Sequence, residues 1–471
     1  MSAAAPERDV VIVGGGVVGA AIARELSRFQ LRCTLIERAP DVGSGTSKAN
    51  TALLHTGFDA EPGTLEARLV RRGHELLGEY ASRVGIPLQR IGALLVAWDE
   101  EQLGAFAGIV QRAHENGYTA IREIASDELY RREPHLGPGA RGALEIPDER
   151  IICPFTTPLA YATEAVLGGC ELRLGTEVTN VERLEGGGMR VHTPAAVITT
   201  RFLVNAAGLR SDELDRVLGH DGFTVTPRRG ELIVFDKLAR PLVNHIVLAV
   251  PTAITKGVLV APTVFGNVLV GPTAQDVEDR QDTSSTREGL AYLRAEAARI
   301  MPALSGHEVT AVYVGLRAAT HHADYQIAIH AAEGYACVGG IRSTGLSASL
   351  AIAEHVRSHL ADAGLRLEPK NEDPPSVRMP NIGEGFARPY MQDERIAEAA
   401  EYGRIVCFCE RVSRGEILDA LSAPVPAVDL DGLRRRTRAL MGRCQGFYCG
   451  AHVAALLGDR SSAADATGVA D

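Results

Sequence analysis

No run of about eighteen apolar residues occurs in the chain, so no segment predicts a helix that crosses a membrane. The first residues lack the basic segment and the apolar segment of a secretory signal, and a strand-like run begins almost at once. Positive charge does not predominate either: the formal net charge of −10 repels a phosphate backbone and argues against nucleic acid as a partner. We therefore expect a cytoplasmic protein without an integral membrane segment.

A disulfide framework is not expected. The chain has eight cysteines in 471 residues. Four of them stand singly in apolar surroundings, as buried free thiols do: Cys33, Cys153, Cys170 and Cys337. With 45% apolar residues, a chain of this length can bury more than one core, so we expect two or three domains.

The other four cysteines form two closely spaced pairs. Cys407 and Cys409 stand in Cys-Phe-Cys, and Cys444 and Cys449 stand in Cys-Gln-Gly-Phe-Tyr-Cys. A [2Fe–2S] cluster needs two thiolates on each iron, and two such loops can supply them. Structural zinc more often uses Cys-x2-Cys spacing, and a zinc site or a disulfide pair is the alternative. The spacing favours an iron–sulfur cluster and hence electron transfer.

The sequence around these cysteines carries a family resemblance. Residues 406–414 (VCFCERVSR) and 434–449 (RRRTRALMGRCQGFYC) resemble the [2Fe–2S] domain of the bacterioferritin-associated-ferredoxin type that is fused to anaerobic glycerol-3-phosphate dehydrogenases. The resemblance implies that all four cysteines are cluster ligands. Four arginines precede Cys444: Arg434, Arg435, Arg436 and Arg438. We expect them to form a solvated helix face. The alternative is that they compensate the negative charge of the cluster or bind an acidic redox partner.

A glycine-rich motif lies near the N-terminus. Residues 9–13 form an apolar, β-branched run that predicts a strand, and a helical pattern over residues 20–29 follows the sequence GGGVVG. Gly14 permits a tight turn, Gly16 lets the backbone approach a pyrophosphate, and Gly19 allows close packing of helix and strand. The order of strand, glycine loop and helix predicts dinucleotide binding.

An acidic residue follows the second predicted strand, residues 33–36. The carboxylate of Glu37 can bind both ribose hydroxyls of an adenosine, and it would repel the 2′-phosphate of NADP. The motif alone does not separate FAD from NAD.

A second resemblance makes that choice. Residues 44–57 resemble the flavin-embracing loop of the D-amino-acid oxidase and glycerol-3-phosphate dehydrogenase superfamily, and the segments 177–178, 205–208 and 339–346 agree with it. The resemblance implies FAD, with residue 178 on a strand and the helix from about residue 347 directing its N-terminal dipole at the flavin ring. It also implies cofactor contacts from Thr46, Ser47, Val178, Ala207, Gly208, Gly340, Gly345 and Leu346.

Short β-rich runs broken by Gly and Pro, at residues 226–235, 257–262 and 266–272, predict an antiparallel sheet, with helices over 65–84 and 101–116 around it. Residues 256–273 resemble the substrate-domain sheet of glycerol-3-phosphate dehydrogenase-like and L-2-hydroxyglutarate oxidase-like proteins. The expected fold class is α/β plus α+β: a Rossmann-like FAD-binding domain with an interleaved antiparallel-sheet substrate domain, and a small C-terminal iron–sulfur domain.

The expected domain bounds follow from these motifs. The FAD-binding domain takes residues 1–85, 146–220 and 316–362, and the substrate domain takes 86–145 and 221–315. A charged, proline-rich linker at 363–400 is expected to tether the [2Fe–2S] domain, residues 401–458, and residues 459–471 are expected to be a disordered tail.

The residues that carry out chemistry are expected on the substrate side of the flavin. His55 is the first candidate for the proton acceptor. The alternative is that its side chain only packs over the flavin. Arg317 stands where the superfamily places an anion-binding arginine, and Arg342 lies in the flavin-facing loop; Lys256 is a weaker candidate. We discount a metal site at His321-His322, since adjacent side chains on extended chain point in opposite directions.

These features predict an FAD-dependent dehydrogenase of a small anionic hydroxy compound. Glycerol 3-phosphate is the first substrate, and a 2-hydroxy acid such as 2-hydroxyglutarate or an opine-like amino acid is the alternative. Electrons are expected to pass from the flavin through the cluster to an external acceptor. The resemblance implies a quinone reached through partner subunits, hence a complex that associates peripherally with the inner face of the membrane. A non-catalytic flavin and cluster protein, acting as a redox sensor or complex subunit, is the alternative from another class.

Overall fold

The computed structural model describes residues 7–251, 257–372 and 375–467, and in the last helix it describes side chains as far as residue 458. Lys256 lies outside the described residues. The disorder expected for residues 459–471 stays a prediction, as do the expected domain bounds. Within the described residues, no helix is long and apolar enough to cross a membrane.

Helices and strands alternate along most of the described chain. The α-helices are α1 Val17–Leu26, α2 Leu65–Val84, α3 Glu100–Gly104, α4 Phe106–Glu115, α5 Ser126–Arg132, α6 Thr156–Leu167, α7 Ser211–Val217, α8 Arg287–Ile300, α9 Gly345–Asp362, α10 Asp393–Glu398, α11 Arg414–Ser422, α12 Leu430–Thr437 and α13 Gly450–Thr467. The β-strands are β1 Arg8–Val13, β2 Cys33–Ile36, β3 Leu53–Leu54, β4 Leu88–Arg90, β5 Ala93–Ala97, β6 Arg122–Ala125, β7 Gly142–Ile146, β8 Arg150–Ile152, β9 Glu171–Arg173, β10 Asn180–Arg183, β11 Met189–His192, β12 Val197–Asn205, β13 Thr226–Phe235, β14 Ile246–Ala249, β15 Leu259–Pro262, β16 Val268–Gly271, β17 Gln275–Asp276, β18 Val309–Ala319, β19 Gln326–His330, β20 Tyr335–Gly339, β21 Ile405–Cys407 and β22 Val412–Ser413.

The first sheet is centred on β1, which lies between β2 and β12; β9 and β20 extend the parallel part on either side. Alternate residues of β1 face two different cores: Val10 and Ile12 pack in one, and Val11 and Val13 in the other. A parallel strand is normally buried on both faces because helices cover them. Helices α1, α6 and α9 pack together within the first of these cores.

The second sheet has the order β17-β13-β16-β15-β14-β5-β7-β6, with β18 on β13. Its pairings are antiparallel apart from that of β5 with β14. The long pair of β13 and β18 places Arg228 directly opposite Arg317. Side chains at opposite positions of an antiparallel pair share one face, so this register brings two arginines together.

Three local expectations need correction. The helix expected over 101–116 is two helices, since the amide of Ala105 is shared between the carbonyls of Glu101 and Gln102. Val178 is not on a strand: Gly175, at φ +61°, turns the chain before it. The rings of His321 and His322 do not diverge, because the chain bends there; their centroids lie 3.8 Å apart.

The C-terminal residues 405–458, here called the cluster domain because the cluster is expected there, have a small core of their own. The hairpin of β21 and β22 leads into α11, whose start is capped reciprocally by Ser413 and Glu416. The side chains that fill this core come from the hairpin and from α11, α12 and α13; they include Val406, Val412, Ile417, Leu433 and Val453.

Buried ion pairs attach the cluster domain to the rest of the molecule. Asp41, which follows β2, accepts two hydrogen bonds of 2.7 Å from the guanidinium of Arg436 and one of 2.6 Å from Arg435. Lys48 donates to Asp431 at 2.9 Å. The segment expected to be a linker also packs against both parts: the amide of Met379 donates to the carbonyl of Val84, and Arg388 pairs with Glu416.

The expectation of a solvated arginine face is therefore wrong for three of the four arginines. Arg435, Arg436 and Arg438 are each at most 5% exposed. Arg438 pairs with Glu410 and lies with its guanidinium 4.2 Å from the centroid of the Phe265 ring. Their positive charges are neutralised inside the molecule, because carboxylates of other segments pack against them.

Asp41→Ala should weaken the attachment of the cluster domain. The substitution leaves the buried guanidinium of Arg436 without a carboxylate and removes one of the two that Arg435 contacts. Loss of one partner of a buried ion pair costs about 3–5 kcal/mol. We expect faster proteolysis within residues 363–400 under native conditions and a lower midpoint of thermal unfolding.

Glu75→Ala is the matched control. Glu75 lies 3.6 Å from Arg72 on the surface of α2, and such exposed pairs contribute at most about 1 kcal/mol. If both variants are cleaved at the wild-type rate, Asp41 does not hold the domain.

Candidate active site and cluster site

The glycine loop after β1 is packed tightly at two of the three glycines of the nucleotide-binding motif, Gly14 and Gly19. A Cβ atom on Gly14, which has φ +107°, would lie 2.3 Å from the carbonyl oxygen of Ala206, and one on Gly19 would lie 1.9 Å from that of Gly14. A Cβ on Gly16 would meet only the hydroxyl of Ser47, at 3.3 Å. Gly14 and Gly19 therefore serve backbone packing, whereas Gly16 leaves space at the N-terminus of α1 for a bound phosphate group.

The carboxyl ends of the parallel strands bring the other expected cofactor residues to the same edge. Glu37 follows β2, Ala207 and Gly208 follow β12, and Gly340 follows β20. The carboxylate of Glu37 accepts hydrogen bonds from the amides of residues 15 and 39, at 2.7 and 2.8 Å, and burial raises its pKa. This is the edge at which α/β sheets bind dinucleotides.

Two further expected contacts lie beside this edge. The hydroxyl of Ser47 accepts from the amide of Val17 at 2.9 Å, and that of Thr46 donates to the carbonyl of Leu316 at 2.7 Å. Helix α9 begins with Gly345 and Leu346, two residues before the expected start. The N-terminus of α9 adjoins the cavity of about 290 Å³ that is described in the next paragraph.

The three expected catalytic residues line one cavity of about 290 Å³: His55, Arg317 and Arg342. They come from distant parts of the sequence and meet because β18 and the loop before α9 lie beside the segment after β3. Thr344, directly before α9, also lines this cavity. Sequence reasoning missed Arg228 and Asp59, which line it too.

The cavity carries excess positive charge. Arg228 pairs with Asp276 at 2.6 Å, but no carboxylate of the described residues lies within 4.0 Å of the guanidinium of Arg317 or Arg342. Arg317 donates to the carbonyls of Thr273 and Arg229 instead. Burial, with the nearby charge of Arg228, lowers the pKa of Arg317 to about 10, so its side chain remains cationic at neutral pH.

His55 is paired with a carboxylate that sequence reasoning also missed. Its Nδ1 lies 3.1 Å from Oε2 of Glu149, whose side chain is 0% exposed. The amide and the hydroxyl of Thr56 donate to the other carboxylate oxygen, at 2.7 and 3.0 Å. No local sequence motif predicts this pair, because the two residues are 94 positions apart.

The four clustered cysteines converge as two pairs of neighbouring thiols. Cys407 contacts Cys449, and Cys409 contacts Cys444. The amide of residue 448, with those of residues 446 and 447, donates to the Cys444 sulfur and lowers its pKa. Four thiolates from two loops, with amides directed at sulfur, suit a [2Fe–2S] cluster. The four remaining cysteines are free and buried, as expected.

A larger cavity of about 630 Å³ lies between the two sites. Lys48 and Asn50 of the loop after β2 line it on one side, Tyr313 of β18 on another, and Arg434 and Gln445 of the cluster domain on a third. The loop expected to embrace the flavin and the domain that holds the cysteines therefore face each other.

Comparison with known proteins agrees with this geometry. The family model "FAD dependent oxidoreductase" matches residues 9–358. The chain belongs to this family. The model "BFD-like [2Fe-2S] binding domain" matches residues 405–459. The protein is thus an FAD-dependent oxidoreductase whose C-terminal domain carries a [2Fe–2S] cluster, and the expected fold class and both expected cofactors are confirmed.

Several members of the FAD dependent oxidoreductase family are similar to this chain. A glycerol 3-phosphate dehydrogenase of Caloramator mitchellensis is 34% identical over 455 residues, 95% of this chain and 93% of that protein. A glycerol 3-phosphate oxidase of Mycoplasma pneumoniae is 33% identical over 355 residues, 73% of this chain and 92% of that protein. The structure of L-alpha-glycerophosphate oxidase from Mycoplasma pneumoniae with FAD bound superimposes with a TM-score of 0.75 at 30% identity, covering 80% of this chain and 99% of that one.

Gly16→Val should abolish FAD binding without unfolding the protein. The added side chain meets only Ser47 in the protein itself, but it occupies the space through which the backbone approaches a pyrophosphate. We expect flavin absorbance to be lost from the purified variant while its circular dichroism stays that of the wild type. Gly104→Ala, at a position with nothing within 4 Å of the new Cβ, is the control and should keep its flavin. A normal flavin content in Gly16→Val would refute the assignment of this loop.

Proposed function

We propose that the protein is a dehydrogenase that oxidises glycerol 3-phosphate to dihydroxyacetone phosphate. The observation that carries the proposal is the cavity in which His55 stands beside two arginines that have no carboxylate partner among the described residues. A buried cation without a protein anion is costly, and a small anionic ligand relieves that cost. The names of the similar proteins direct the choice among small anions to glycerol 3-phosphate.

The charge of the site fits a phosphate better than a single carboxylate. A phosphate monoester carries nearly two negative charges at neutral pH. The cavity is lined by three arginines, Arg228, Arg317 and Arg342, against one acid, Asp59, and Asp276 pairs with Arg228. Arg317 is held by two backbone carbonyls, so its planar group is preorganised to receive phosphate oxygens. A 2-hydroxy acid remains the alternative substrate, and the variants below compare the two.

The reaction removes a hydride from carbon and a proton from the hydroxyl group. Bound FAD supplies the hydride acceptor, and the cluster supplies a one-electron relay to an external acceptor. His55, which lines the cavity, takes the hydroxyl proton. The residues that hold FAD are those of the glycine loop, Glu37 and the loops after β12 and β20.

The relay favours a dehydrogenase over an oxidase. The similarity to the Caloramator dehydrogenase extends over 455 residues and so takes in the cluster domain, whereas that to the Mycoplasma oxidase extends over 355 residues. An enzyme that reduces oxygen directly needs no one-electron relay. We infer that the acceptor is a protein or a set of quinone-linked subunits, bound at the inner face of the membrane in a complex.

Arg317→Ala should lower kcat/KM for glycerol 3-phosphate about 30- to 150-fold, the equivalent of a charge-assisted contact of about 2–3 kcal/mol. Arg317→Lys should recover only part, because the fork geometry is lost. A phosphate dianion should lose more rate than a 2-hydroxy monocarboxylate when this one positive charge is removed, because the Coulomb attraction scales with the charge of the substrate. Anaerobic flavin bleaching and steady-state rates measure these effects.

Arg190→Ala removes an exposed arginine that pairs with Glu182 and serves as the control. Flavin content should be that of the wild type in all three variants. Wild-type turnover of every tested anion by Arg317→Ala would show that the substrate is bound elsewhere.

Cys444→Ser should separate the two cofactors. The wild type should contain about two iron and two acid-labile sulfide per chain, and the variant should lose both while it keeps FAD. Its flavin should still bleach with substrate in a single turnover, whereas steady-state reduction of the physiological carrier should collapse. Cys170→Ser, which alters a buried free thiol, should keep the iron. Undiminished turnover without the cluster would contradict the relay, and stoichiometric zinc without sulfide in the wild type would contradict the cluster.

A further inference from the structure

Glu149 is a fully buried carboxylate whose only ion-pair partner among the described residues is His55. Its other hydrogen bonds come from the amide and hydroxyl of Thr56. No lysine or arginine of the described residues lies within 4.0 Å of it. An ionised carboxylate in such a place is costly unless its surroundings are arranged to hold it. That cost, beside the proposed proton acceptor, points to a role in the reaction.

Strand pairing places the two side chains together. Strand β8 runs antiparallel to β3, with Leu54 opposite Arg150 and Leu53 opposite Ile151. Continuing this register by one residue brings Glu149 opposite His55. The backbone carbonyl of Glu149 also accepts from the amide of Gly92 at 3.0 Å, which anchors the turn between β7 and β8. The carboxylate is therefore held directly before β8, at the edge of the small sheet that β8 forms with β3 and β4.

The effect of Glu149 on His55 follows from the ring nitrogen that faces the carboxylate, which is Nδ1. A carboxylate against Nδ1 keeps the imidazole proton on that nitrogen, so that Nε2 is the atom with basic character. It also stabilises the imidazolium that forms when the histidine takes a proton. Glu149 is not among the residues that line the 290 Å³ cavity within the described chain, so it acts on substrate only through His55.

We propose that Glu149 is the positioning residue of the proposed reaction: it fixes the tautomer and orientation of His55 and raises its basicity. This inference rests on the proposed function. In the step concerned, the substrate hydroxyl gives its proton to His55 and its carbon gives a hydride to FAD, so the substrate loses two electrons and FAD gains them. Glu149 itself neither gains nor loses a proton.

The test is the pH dependence of Glu149→Gln. The amide keeps the size of the side chain but removes its charge, so the imidazolium loses stabilisation and the acid limb of kcat/KM should move to lower pH by about one unit. We expect kcat to fall about 10- to 100-fold, within the range of general base catalysis, with KM and flavin content unchanged. Glu149→Asp, which keeps the charge, should restore the position of the acid limb in part.

A second readout does not need substrate. NMR titration of the His55 imidazole should give a lower pKa in Glu149→Gln than in the wild type. Among the described residues, the other charged or titratable groups around His55 are Asp59, Arg228, Arg317 and Arg342 in the cavity and His74 on α2, whose Nδ1 lies 3.1 Å from the His55 carbonyl. They are the same in both proteins, so they do not produce the difference.

The chain offers a matched control in Glu133→Gln. Glu133 is also 0% exposed and lies 2.7 Å from Nδ1 of His245, but neither residue lines the cavity within the described chain. Its variant should leave the pH profile of turnover unchanged. The proposal is overturned if Glu149→Gln changes neither the acid limb of kcat/KM nor the pKa of His55, whether or not the variant also loses its flavin. If the wild type oxidises no small anion while the His55 titration shifts as expected, the proposed function fails and the pairing stands.

Discussion

The arrangement of the whole molecule depends on the fact that parallel strands end at the same edge of a sheet. Strand β1 is paired on both sides, and the loops that follow it and its neighbours therefore meet at one place. Gly14, Glu37 and Ala206 become neighbours without any specific attraction between them. The cofactor site, the start of α9 and the docking position of the cluster domain are all set relative to this edge.

Buried charge is the second constraint. The boundary of the cluster domain and the 290 Å³ cavity stabilise their buried arginines in different ways. At the domain boundary each buried arginine meets a carboxylate, so the desolvation of the ions is offset within the protein. In the small cavity Arg317 donates to two backbone carbonyls, and no carboxylate of the described residues lies within 4.0 Å of its guanidinium. The first arrangement holds domains together. The second leaves attraction for an anion that the protein itself does not supply.

The boundary also explains why the two redox parts are not independent modules. Asp41 and Lys48 both bind the cluster domain; Asp41 precedes the loop that the family resemblance assigns to the flavin, and Lys48 lies within it. A shift of that loop and a shift of the cluster domain are thus mechanically linked through the same ion pairs. These ion pairs hold the two facing surfaces in a fixed arrangement, as the proposed electron relay requires.

The sequence by itself determined the features whose geometry is local. The spacing within the pair Cys407 and Cys409 and within the pair Cys444 and Cys449 was enough to predict the cluster, and the order of strand, glycine loop and helix was enough to predict a dinucleotide. The contacts of Cys407 with Cys449 and of Cys409 with Cys444 depend instead on the packing of two distant loops. Only the tertiary structure decided that Arg436 is buried against Asp41, 395 positions away, and that His55 meets Glu149, 94 positions away. Burial and ion pairing depend on which distant segment packs alongside, and no property of the residue or of its neighbours in the chain carries that information.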